Sequence, residues 1–238
     1  MARGTPVKPF SSERMMARLP QGQFLPAVAG GAVDAIVIMG FRVLTAAQTG
    51  NTILLAVAVA RGDLAAGWSA ALSLAGFVSG AVLGWWLAGR PGLPPSFTLF
   101  LEATILSGML VLWLRAGPEP TAAIGNTIIT GVAAAMGIQS AAVLSRKVGP
   151  PTYVTGVLES FAHGLVSGRT GGGSVGSPPR LHGLAWLAYF SGAVGAGWAF
   201  RAAGPAALAI PIGCLVVAAC ATSRRRPESH GPNPSGEA

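Results

Sequence analysis

Apolar runs of about the length that crosses a bilayer recur along the chain, separated by short clusters of Arg, Pro and Gly. Phe24–Phe41 is the first, with Pro26 in its opening turn, where a missing N–H does no harm. Val43–Ala60 is the second, interrupted early by Thr45, Gln48, Thr49, Gly50, Asn51 and Thr52. The loop Arg61–Gly67 leads into the charge-free run Trp68–Ala88, which Arg90, Pro91, Pro94 and Pro95 close. Pro95–Leu114 follows, with Glu102 near one end. After a loop holding Arg115, Pro118, Glu119 and Pro120 comes Thr121–Leu144, charge-free but containing Asn126 and Gln139. Thr152–Ser167 is short and carries Glu159 and His163. A Gly, Ser and Pro linker over 168–179 precedes Leu181–Phe200 and Ala202–Thr222, with Pro211 predicted to kink the last.

These elements predict an all-α polytopic membrane bundle over residues 24–222, flanked by an uncleaved cytoplasmic tail, 1–23, and a disordered basic tail, 223–238. Composition agrees. Of the 238 residues 51% are hydrophobic and only 10% charged, against roughly a quarter charged in soluble domains. The net charge of +8 does not mark a nucleic-acid binder, because the basic residues sit at the ends of apolar runs, as membrane orientation requires. Cys214 and Cys220 lie inside the last run and read as packing residues, with no metal spacing.

The polar break after Gly31–Asp34 organises the rest. Polar chain at membrane depth is tolerated only against protein or a wet cavity, so Asp34, Gln48, Thr49, Gly50 and Asn51 are expected to line an internal site. Asp34 then marks an ion or substrate path, or serves as an acceptor for nearby backbone and hydroxyl groups. The start of a short helix at Thr49–Asn51 would suit an anionic group.

The chain also repeats itself. Ser79–Trp86 (SGAVLGWW) returns as Ser191–Trp198 (SGAVGAGW), and Thr49-Gly50 returns as Thr155-Gly156. Ala32-Val33-Asp34 is matched to Gly137-Ile138-Gln139. The halves are about 24–114 and 121–222, each with one short, broken apolar segment, the best pointer in a transporter sequence to a central binding site. Gln139, Thr155, Gly156, Glu159 and His163 are the second half's contributions. Glu159 and His163 lie four apart and could relay a proton or line the wet end of a short helix. Glu102 is expected to reach the interface or pair with Arg90. If the short segments do not cross, there are six full spans and inverted halves; if they cross, eight spans and parallel halves. The loop Arg61–Gly67 decides, facing outside in the first case and the cytoplasm in the second. Gly76, Gly80 and Gly84, echoed by Ala188, Gly192 and Ala196, form a helix-contact stripe.

Gly31–Asp34, the block Phe41…Thr49-Gly50-Asn51, and Gly137-Ile138-Gln139 with Ala141-Ala142 resemble the YoaK-like family of bacterial multi-pass membrane proteins over roughly residues 24–222. That family's second half often reads Gln-Asn where this chain has Gln139-Ser140. The resemblance implies the architecture and a transporter-like role without naming a substrate. The expected function is a secondary transporter of a small organic solute or anion, coupled to protons through Asp34 or Glu159. The alternatives are a non-transporting membrane scaffold and an intramembrane hydrolase. No GxxxxGK[ST] loop occurs, so transport would draw on gradients. No enzyme activity, cofactor, metal or nucleic-acid partner is expected. The partners are a small-molecule substrate and the lipid bilayer, with a homo-oligomer compatible, and the location is the plasma or inner cell membrane with both termini cytoplasmic.

Overall fold

The computed structural model describes residues 24–94, 96–145, 156, 158–159, 162 and 179–224. Among these every regular element is helical: α1 Phe24–Phe41, α2 Gln48–Ala60, α3 Leu64–Ala88, α4 Ser96–Ala116, α5 Ala122–Ser145, α6 Pro179–Ala203, a 3₁₀ segment Gly204–Leu208, and α7 Ala209–Ser223. Five stretches are long and apolar enough to cross a membrane. They are Phe24–Phe41, Leu64–Ala88, Ser96–Ala116, Ala122–Val143 and the 41-residue Gly183–Ser223, which holds most of α6, the 3₁₀ segment and α7. The tails 1–23 and 225–238 and the linker 168–178 lie outside the described residues, as does most of the predicted segment 152–167.

Two boundaries differ from expectation for clear physical reasons. The third helix starts at Leu64, because Asp63 caps it by accepting from the Ala66 N–H at 3.0 Å; the loop before it shrinks to Arg61–Asp63. In the last stretch the break falls at Gly204, whose φ of 58° suits glycine, and not at Pro211. Pro211 sits in the first turn of α7, where its absent N–H leaves nothing unpaired.

Named contacts fix the directions of α1, α3, α4, α5 and α6. Phe41, the last residue of α1, lies against Gly125 near the start of α5, so α1 and α5 run in opposite directions. Helix α3 runs with α5: Ser69 bonds Asn126 at 3.2 Å, Gly76 meets the Thr130 backbone, and Gly84 meets Ile138. Against them runs α4, with Glu102 opposite Gln139, Met109 against Gly131, and Trp113 beside Gly40 and Phe41 of α1. Helix α6 runs with α1, since Gly192 meets Val28 while Phe200 approaches Gly40. The end of α1 therefore shares one end of the bundle, here the distal end, with the starts of α3 and α5 and the ends of α4 and α6.

The core is a seam of small residues and β-branched or long aliphatic ones. Ala29, Ala32, Val33, Ile36 and Val37 of α1 share one buried cluster with Ile128, Val132, Ala135 and Met136 of α5, Leu106 of α4, and Leu215 and Ala218 of α7. Lipid tails give no hydrophobic push between helices, so close approach through small residues supplies the attraction. Gly31 sits on the backbone of Tyr189 and Ala193 in α6; Gly137 sits on that of Phe77 and Ala81 in α3. Gly192 against Val28 and Gly80 against Ala134 make the reciprocal pair.

Candidate functional site

The connection between α1 and α2 turns back into the bundle. After Arg42, held at φ 62°, the chain returns until the N–H groups of Thr45, Ala46 and Ala47 reach the Asp34 carboxylate. Asp34 lies seven residues, or about 10 Å, short of the end of α1. Thus α2 begins deep in the bundle. Its 13 residues span about 20 Å, too few for a hydrocarbon core of about 30 Å. Through Arg61–Asp63 it joins α3 at the distal end, where α1 also ends.

Asp34 is fully engaged. Oδ1 accepts from Thr45 N and Ala46 N, each at 2.7 Å, and more weakly from Thr45 Oγ1 at 3.4 Å. Oδ2 accepts from Ala47 N at 3.0 Å and from the Tyr189 hydroxyl of α6 at 2.6 Å. The carboxyl group thus binds the turn that leads into α2, next to the helix start where an anionic ligand had been expected. Of the two readings of Asp34 left open by the sequence, the geometry matches the acceptor for neighbouring backbone and hydroxyl groups.

A second set of polar groups holds the same loop from the other side. Asn51 accepts from Leu44 N at 2.9 Å and donates to Leu44 O, Gln48 Oε1 and Ser73 Oγ at 2.6, 2.8 and 2.9 Å. Gln48 Nε2 donates to Thr45 O at 2.8 Å, and the Ser73 hydroxyl donates to Leu44 O at 2.6 Å. The amide side chains thus substitute for helical partners that a chain reversed at this depth cannot find. Thr49 points outward, exposed, and Gly50 packs under Leu44.

Glu102 departs from expectation. It neither reaches the interface nor pairs with Arg90, which lies over the Trp86 ring at 3.8 Å. Instead it is fully buried and accepts from Gln139 Nε2 at 2.8 Å through Oε1. Its Oε2 and the indole Nε1 of Trp113 are the two buried side-chain polar atoms without a hydrogen-bond partner among the described residues. The reason is register: position 102 falls on the α4 stripe with Leu99, Ala103 and Leu106, which faces α5 and not the lipid.

The structure therefore brings Asp34, Gln48 and Asn51 together, with Gly50 alongside, and joins Gln139 to Glu102. Gly156 and Glu159 are helical, with Glu159 exposed; Thr155 and His163 lie outside the described residues. No group of three or more His, Cys, Asp or Glu suited to a metal ion occurs among the described residues. Sequence reasoning missed Tyr189 and Ser73. The available signal was slight: Tyr189 is one hydroxyl on an otherwise apolar or small-residue face, and Ser73 follows Ser69 by four residues on the small-residue face of α3.

The sequence model of a family described as "Protein of unknown function (DUF1275)" matches residues 23–221. No curated protein and no solved structure matches the chain.

Proposed function

The chain belongs to that family, the protein of unknown function DUF1275, and from this premise we propose that it is a secondary transporter of a small organic solute, built from two inverted halves. The YoaK-like resemblance is compatible with the family. The observation that carries the reading is α2: a half-length helix that enters from the distal end and begins, with its polar residues, at the depth of Asp34. Discontinuous helices that start at mid-bundle are the usual way transporters place polar groups around a central solute.

The packing supports inverted halves. Helix α1 packs on α6 and α7, and its antiparallel counterpart α5 packs on α3 and α4. In that exchange Gly31 takes the place of Gly137, Val28 of Ala134, Tyr189 of Phe77 and Gly192 of Gly80. Asp34 is then matched to Ser140, one residue beyond the match read from the sequence. The membrane is crossed six times, by α1, α3, α4, α5, α6 and the 3₁₀–α7 unit, with α2 re-entrant. Of the sixteen Lys and Arg, Arg42, Arg61, Arg115 and Arg201 fall at the distal end, and a six-span topology would assign the other twelve to the opposite side. The excess marks the end bearing both termini as cytoplasmic, in the plasma or inner cell membrane. Because the Asp34 carboxyl already takes the N–H groups of the turn leading into α2, a neutral or cationic solute fits beside it better than an anion.

Topology is tested by single cysteines at Arg61 and Arg90 in a protein lacking Cys214 and Cys220. An impermeant maleimide is expected to label position 61 from outside intact cells and position 90 only after permeabilisation. Labelling at 61 from the cytoplasmic side alone would sink the six-span reading. Function is tested by thermal-shift screening of the full-length protein against a metabolite library, followed by uptake of the stabilising solute into proteoliposomes. A solute at a hundred times its Kd adds about 2.7 kcal/mol to stability, a readily measured shift. The competing scaffold reading draws on the internally satisfied network around Asn51, and it prevails if no solute both stabilises and accumulates.

A further inference from the structure

We propose that Glu102, held by Gln139, is the proton-binding site through which solute movement is coupled to a proton gradient. This rests on the transporter reading and moves the coupling group away from Asp34 and Glu159. The two membrane-embedded carboxyls that the structure describes at bundle depth have opposite environments. Asp34 receives three backbone N–H groups and the Tyr189 hydroxyl, so its oxygens are engaged by the chain itself. Glu102 is fully buried with one donor at 2.8 Å and a second oxygen that has no partner among the described residues. An acceptor-only carboxylate with a bare oxygen is a poor resident of such a place. A carboxylic acid gains an O–H, and with it the means to give and take a proton.

Among the described residues, nothing that packs on α4 competes for that role. Helix α5 carries no ionisable residue from Ala122 to Ser145, the 3₁₀ segment carries none, and α7 carries only Cys214 and Cys220. On α4 itself the one cation, Arg115, is thirteen residues further on, about 20 Å along the helix. Asp34, the ionisable residue of α1, is engaged as described. The other orphaned atom, Trp113 Nε1, is a donor only and cannot accept a proton.

The inverted arrangement gives the asymmetry a meaning. The first half uses its carboxylate to pin the re-entrant loop. At the matching position of the second half stands Ser140, and the carboxyl near that depth comes from α4. Both carboxyls come from the first half of the sequence: Asp34 pins the loop, and Glu102, held against α5 of the second half by Gln139, titrates. The step is simple: the Glu102 O–H bond breaks, the proton passes to water on whichever side is open, and the electron pair stays on the carboxylate, with Gln139 Nε2–H as its standing donor.

The test needs no knowledge of the solute. Infrared difference spectra are recorded across pH steps on the full-length protein in lipid nanodiscs. They are expected to show a protonated-carboxyl C=O band that moves on ¹³C-glutamate labelling. The band is lost in Glu102→Gln and retained in Asp34→Asn. Gln139→Leu is expected to shift its frequency, because the donor is gone. A spectrum with no titrating glutamate band, or a band that survives Glu102→Gln, overturns the proposal. Should Glu102→Gln fail to fold, the Gln139→Leu shift on labelled protein decides, and an unmoved band overturns it. In proteoliposomes, an inward proton gradient is expected to accelerate uptake of the screened solute, and Glu102→Gln to abolish that acceleration. A titrating Glu102 without uptake leaves the proton site standing and removes the transporter reading. Uptake indifferent to the gradient, with no titrating band, does the reverse.

Discussion

Asp34→Ala is expected to cost the protein roughly 2–5 kcal/mol and to strip hydrogen-exchange protection from the amides of Thr45, Ala46 and Ala47. The substitution leaves two buried backbone donors, a part-buried third and the Tyr189 hydroxyl without their acceptor. In lipid, individual hydrogen bonds average only about 0.6 kcal/mol by double-mutant cycles, which sets the lower figure. The upper figure reflects donors stranded where no water can reach them. Tyr189→Phe removes one of the four partners and keeps the ring, so its cost is expected to stay near 1 kcal/mol or below. The sign of Asp34→Asn separates two roles. A carboxylate kept for ion binding, at the expense of burial, becomes less costly when neutralised, and the variant gains stability. A carboxylate that gathers backbone N–H groups does not, because one amide end is now a donor pointed at donors. Thermal unfolding of purified Asp34→Asn in detergent makes the measurement, and a rise in Tm would remove the loop-pinning role.

Much of this was legible in the chain because lipid is a demanding solvent. It forces long apolar runs, so α1, α3, α4, α5 and the last stretch could be read with their ends within a few residues. It also forces a reason for every polar residue within them, which is how Asp34, Gln48 and Asn51 stood out. What could not be read is partner choice. Asp34 announces that something must satisfy it; only the fold says that the something is the backbone eleven to thirteen residues on and a tyrosine from α6. Glu102 was misplaced because distance from a span end was used as a guide to exposure, whereas its position on the face packed against α5 decided the matter. The direction of α2 was equally hidden. Hydropathy gives a run's length but not which way it points, and that rested on contacts such as Ser69 with Asn126.

A single added methyl group is expected to separate the glycines into two classes. At Gly31, Gly80, Gly137 and Gly192 a Cβ would meet backbone carbonyl atoms of the facing helix, Tyr189, Ala134, Phe77 and Val28 respectively. No rotamer change relieves a clash with main chain, so α1 must move off α6, or α3 off α5. Overpacking of ordinary cores costs about 1–3 kcal/mol, and displacement of two helix backbones places these four at or above the top of that range. Gly131→Ala belongs to a milder group, because its nearest neighbour is the flexible side chain of Met109. Gly108, Gly195 and Gly213 have open space at the Cβ position. Alanine there removes backbone freedom from the unfolded chain and is expected to stabilise by up to about 1 kcal/mol. Melting temperatures of the eight Gly→Ala variants in one detergent provide the comparison. Gly31 and Gly195 form the sharpest pair, since both are glycines inside helices of the α1–α6 contact and share the same propensity gain. If they melt together, the close backbone approach between α1 and α6 is absent, and with it the reason for pairing Gly31 with Gly137. If Gly31→Ala falls while Gly195→Ala rises, the difference measures helix contact alone, free of any contribution from chemistry at the site.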